Sequence, residues 1–138
     1  MVEYRRSALV TGAAQGIGKA IAERLRADGL AVTIADLPSS APLLVELAAA
    51  LGGPEQVLSV AVDVSDPAQV DNAVQAHVDQ FGGLDVIVAN AGIAITAPLV
   101  ETTVQQWAPV VENLAFVVCQ CVHTELGVVY VAPARRRL

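Results

Sequence analysis

The chain has 138 residues, room for one compact domain and too few for two. Apolar residues make up 54% and charged residues 16%, which argues for a buried core and against a disordered chain. The formal net charge is −6 and the only basic cluster is Arg135-Arg136-Arg137, so the clustered positive charge that nucleic acid requires is missing.

Arg5-Arg6 followed by Ala8-Leu9-Val10 has the look of a signal-peptide start. The apolar run stops at Thr11-Gly12, however, short of the ~7–15 residues of an h-region. No run approaches the ~20 residues of a membrane span. The expectation is a soluble, cytoplasmic protein with neither nucleic acid nor membrane as partner.

The elements then follow in order. Ser7–Val10 reads as a strand entering a glycine-rich turn, and Ile17 to Asp28 has helical spacing (Ile17, Ala20, Ile21, Leu25) that Gly29 stops. Ala31–Ala35 is a second strand, ending at Asp36 and a Pro/Ser break. Ser40 can cap a helix with Pro42 in its first turn, running to about Leu51. Val57–Val64 is a third strand. Asp66-Pro67 opens a helix with Val70, Ala73, Val74 and Val78 on one face, closed by Gly82-Gly83. His77 is expected on the exposed, polar side of that helix. Leu84–Ala89 is a fourth strand leading into Asn90-Ala91-Gly92. Thr102 or Thr103 starts a further helix that Pro109 is expected to interrupt, and Val128–Val131 reads as a fifth strand. Cys119 and Cys121 are too close along the chain to favour a mutual disulfide, and one C-x-C is no metal set. Alternating strands and helices, with strands apolar on both sides, predict a doubly wound parallel α/β fold of Rossmann type.

The turn Thr11-Gly12-Ala13-Ala14-Gln15-Gly16-Ile17-Gly18 links the first strand directly to the first helix. Gly12 permits the tight turn, a side chain at Gly16 would obstruct a pyrophosphate, and Gly18 lets helix and strand pack closely. Free N–H groups and the helix dipole then face the phosphates. A nucleotide-triphosphate P-loop is rejected, because Ala13 and Ala20 stand where that motif needs Gly and Ser or Thr. Asp36, at the end of the second strand, is placed to accept hydrogen bonds from an adenosine ribose. Its charge repels a 2′-phosphate and Leu37-Pro38-Ser39 supplies no cation, which favours NAD over NADP. A purely structural glycine turn and a surface-turn Asp are the alternative readings.

These residues resemble the short-chain dehydrogenase/reductase family from about Ser7 to Trp107. Thr11-Gly12-x-x-x-Gly16-x-Gly18 is similar to its cofactor signature, Asn90-Ala91-Gly92 to its second signature, and Asp63-Val64 to the segment that touches the adenine. The resemblance implies cofactor roles for Gly12, Gln15, Gly16, Ile17, Gly18, Asp36, Asp63, Val64, Asn90 and Gly92. It implies hydride transfer between NAD(H) and a small alcohol or carbonyl compound. Asn113-Leu114 resembles the end of the helix that carries the family's catalytic Asn, making Asn113 the one catalytic candidate.

The family's other catalytic residues include a Tyr-x-x-x-Lys pair, in which the ammonium lowers the phenol pKa. Lys19, in the glycine turn, is the single lysine of this sequence, so no such pair can be drawn. The expected division is a dinucleotide-binding half at 1–114 and a divergent segment and tail at 115–138, as in a truncated or aberrant product. The alternative to an oxidoreductase is a non-catalytic NAD-binding or dimerising fragment. Uncovered sheet edges and helix seats would favour low solubility or homo-oligomerisation.

Overall fold

A strand that is apolar on both sides needs a helical layer over each face of its sheet. The computed structural model describes residues 5–112 and 128–130. Strands β1 (Ser7–Thr11), β2 (Ala31–Asp36), β3 (Val57–Ala61), β4 (Val86–Val88) and β5 (Val128–Tyr130) form one sheet in the order β3-β2-β1-β4-β5. Every pairing is parallel, and Val10 of β1 lies between Ile34 of β2 and Val88 of β4. This is the doubly wound arrangement the alternation predicts.

Successive side chains of β1 point to opposite faces and feed two cores. Ala8 and Val10 join Ala22 of α1 (Gly16–Ala27) with Leu44 and Leu47 of α2 (Ala41–Ala50). Leu9 and Ile87 join Ala73 of α3 (Pro67–Phe81) on the other face, where Val70, Val74 and Val78 complete the packed side of that helix. The boundaries of α3 follow from its caps. The Asp66 carboxylate accepts from the N–H groups of Ala68 and Gln69, Pro67 occupies the first turn, and Gly82 closes the helix at φ 82°.

Four expectations need correction. First, β3 ends at Ala61, not at residue 64, although Val62 and Val64 remain buried in the second core. Second, β4 keeps only Val86–Val88 of the expected run. Third, the helix over residues 104–112 continues through Pro109. Pro109 deprives only the carbonyl of Gln105 of a donor, and Gln105 is exposed, so water can serve it. That helix leaves Val104, Trp107 and Val111 exposed at one-face spacing.

The fourth correction is His77, which is 0% exposed. Its Nδ1 lies 2.7 Å from Thr33 Oγ1, and its Nε2 lies 2.9 Å from Ser7 Oγ and 3.1 Å from the Gly83 carbonyl. Ser7 Oγ donates to that same carbonyl at 2.7 Å and so must accept from the ring. This puts a proton on Nε2, and in the neutral ring Nδ1 then accepts from Thr33 Oγ1. Burial holds its pKa down at about 4, against the smaller opposing effects of the Gly83 hydrogen bond and the Asp85 charge. The Phe81 ring packs against it edge-on. Among the described residues no helix is long and apolar enough to cross a membrane.

Candidate functional site

The chain leaves β1 toward β2 on one side and reaches β4 on the other, so a crevice opens at the carboxyl ends of the strands where the winding reverses. A cleft of about 310 Å³ lies there. Its walls come from the end of β1 and the glycine turn (Gly12, Gln15), from the end of β2 and the residues after it (Asp36, Leu37, Ser40), from beyond β3 (Val62, Asp63, Val64) and from beyond β4 (Asn90, Ala91, Gly92, Ile93).

The glycines divide the work of the turn. Gly12 has φ 66°, and a Cβ on it would come within 2.9 Å of both Ala91 Cα and Asn90 Nδ2. A Cβ on Gly18 would lie 2.1 Å from the Gly12 carbonyl oxygen, so α1 can pack on the turn only with glycine there. Gly16 differs: φ is 60°, and a Cβ would meet nothing within 4 Å. The bare backbone at Gly16 therefore faces open space at the start of α1, the place where a phosphate could come close to N–H groups.

Two side chains join β1 to β4 behind this turn. Thr11 Oγ1 accepts from the N–H groups of Asn90 (3.1 Å) and Ala91 (3.0 Å). Asn90 Nδ2 donates to the carbonyls of Thr11 (3.1 Å) and Gly12 (3.2 Å). Asp36 forms a third connection: Oδ2 accepts from Ala14 N–H at 2.9 Å and Oδ1 from Leu37 N–H at 2.8 Å. Each oxygen keeps a lone pair for a ligand hydroxyl. Asp63 Oδ1 accepts from Ser65 N–H and Oγ, and these hydrogen bonds hold its pKa below the usual carboxylate value.

Seven of the ten cofactor candidates line the cleft: Gly12, Gln15, Asp36, Asp63, Val64, Asn90 and Gly92. Gly18 stands behind the turn as a packing residue, while Gly16 and Ile17 begin α1, with Ile17 59% exposed. Asn113 lies outside the described residues. Leu37, Ser40, Val62 and Ile93 also line the cleft outside any sequence motif, as does Ala91 between the candidates Asn90 and Gly92. Each lies within four residues of a candidate, so proximity along the chain is the signal that could have found them.

The family model described as "short chain dehydrogenase" matches residues 6–127. The chain is 48% identical over 103 residues to the short-chain dehydrogenase/reductase eriH of Hericium erinaceus, covering 72% of this chain and 41% of that protein. It is 43% identical over 97 residues to an L-2,3-butanediol dehydrogenase of Corynebacterium glutamicum, covering 70% and 38%. Among solved structures, a short-chain dehydrogenase/reductase from Burkholderia phymatum in complex with NAD superposes with a TM-score of 0.77 at 30% identity, covering 89% of this chain and 44% of that one. A blue fluorescent protein from a metagenomic library in complex with NADPH gives 0.79 at 32%, covering 91% and 54%. The chain thus spans about two fifths of the length of these curated relatives, and its structural relatives bind nicotinamide dinucleotides of both kinds.

Proposed function

The chain belongs to the short-chain dehydrogenase/reductase family, and from that premise we propose that residues 1–114 form an NAD-binding half of an oxidoreductase acting on a small alcohol or carbonyl compound. The observation that carries the reading is the reach of Asp36 across to Ala14 N–H at 2.9 Å. It makes the acid at the end of β2 and the glycine turn one continuous wall. A ribose diol at Asp36 and a pyrophosphate at Gly16 fit that wall, whereas a 2′-phosphate would meet a carboxylate. Asp63 and Val64 would border the adenine, and Asn90 and Gly92 the opposite side of the cleft.

When bound, the nicotinamide supplies or accepts hydride at its C4. The chain's own part is to bind and orient: Thr11 and Asn90 hold the turn rigid, so the N–H groups are in place before a ligand arrives. The name of the Corynebacterium relative, an L-2,3-butanediol dehydrogenase, supports a small vicinal alcohol or its ketone as the substrate class.

Fluorescence titration of the full chain with NADH and NADPH tests the cofactor reading. NADH is expected to bind at least about tenfold more tightly. Asp36→Asn, which keeps an acceptor and removes the charge, should shrink that ratio. Equal affinities for the two cofactors in the unsubstituted chain would overturn the preference, and no binding of either would overturn the function.

A further inference from the structure

We propose that Gln69 is a positioning residue for the adenine end of the dinucleotide, an inference that rests on the reading above. The loop from Val62 to Asp66 forms one wall of the cleft, and its Asp63 is tied at three points. The carbonyl oxygen accepts from Asp66 N–H at 3.0 Å, and Oδ1 accepts from Ser65. The Asp63 N–H donates to Gln69 Oε1 at 3.0 Å. The first two ties are internal to the loop. The third anchors it to α3, the rigid element behind it.

Gln69 stands three residues after the cap Asp66, where a capping-box side chain usually turns back to the N–H of the cap residue itself. Here it reaches further back, to residue 63, while its Nε2 donates to Asp66 Oδ2 at 2.9 Å. One amide therefore uses its acceptor on the loop and its donor on the helix cap. Among the described residues Asp63 Oδ2 makes no hydrogen bond, and Asp63 and Val64 both line the cleft. An exocyclic amine of adenine can donate to such an oxygen, and an adjacent backbone N–H can donate to a ring nitrogen. Both contacts depend on where the loop stands, and Gln69 sets that relative to α3.

The test compares reduced NAD with its reduced hypoxanthine analogue, in which a carbonyl replaces the adenine amine and the ring nitrogen beside it gains a hydrogen. The full chain should bind NADH about tenfold more tightly than the analogue. In Gln69→Leu that ratio should fall to about twofold or less. Gln69→Met is made beside it, so that one variant failing to fold still leaves a reading. Ala68→Gly weakens the same helical turn without touching the Gln69 side chain, and should lower the melting temperature while keeping the ratio. If both Gln69 variants fold and keep the ratio, or if Ala68→Gly loses it equally, the positioning role is overturned and the cofactor reading stands. If the unsubstituted chain binds neither dinucleotide, both fall.

Discussion

Lowering the pH should loosen this fold through one buried imidazole. His77 has its pKa pushed from 6.5 down to about 4 by burial, so folding favours its neutral form. The contribution is fully present above pH 6.5 and is lost as the pH falls toward 4, where the folded state also takes up the proton. The separation of the two values corresponds to about 3 kcal/mol, of which about 2 kcal/mol is gone by pH 5. The geometry gives the same sign. A second ring proton on Nδ1 would face Thr33 Oγ1, whose own proton would then need an acceptor in a position with 0% exposure. Urea unfolding midpoints between pH 7.5 and 5 should therefore fall for the unsubstituted chain. His77→Gln, which cannot titrate, should start lower at pH 7.5 and decline less, so that the gap narrows. Parallel pH profiles for the two chains would refute the reasoning. So would a His77 ring resonance titrating near 6.5 in the folded chain.

Three further predictions concern the turn. Gly18→Ala should destabilise the chain by several kcal/mol, on the order of a severe core substitution, because its Cβ would strike the Gly12 carbonyl oxygen. Gly16→Ala should cost only about 1 kcal/mol of backbone strain and yet abolish NADH binding, since its Cβ projects into open space; thermal melts paired with NADH titration separate the two outcomes. Thr11→Val should lose about 1–3 kcal/mol, because the Ala91 N–H loses its acceptor and the Asn90 N–H keeps only the Val88 carbonyl; chemical denaturation would show it.

Features encoded by neighbouring residues are legible in the sequence. The glycine spacing, the Asp66-Pro67 cap and the Gly82 stop each act within one turn, so short motifs locate them. The burial of His77 is not legible in that way, because its partners Ser7 and Thr33 lie 70 and 44 residues away. A signal is nonetheless present: His77 continues the Val70, Ala73, Val74, Val78 stripe, and only its polar residue type argues for an exposed place. Pro109 shows the converse, a residue-type rule overridden by an exposed setting that tolerates one unserved carbonyl. Gln69 combines both difficulties, since its cap position is readable but its reach to Asp63 depends on how the loop folds back.

The join between Thr11 and Asn90 spans 79 residues, and that separation imposes a timetable on the growing chain. Strands β1 to β3 and their two helices adjoin one another in sequence and can assemble as they emerge from the ribosome. Until β4 arrives, β1 has an unpaired edge and the glycine turn has no Asn90 beneath it. The glycine turn is thus completed only when Asn90 is made, 78 residues after Gly12. In that interval the bare edge of β1 is the surface on which a nascent chain is most exposed to wrong pairing.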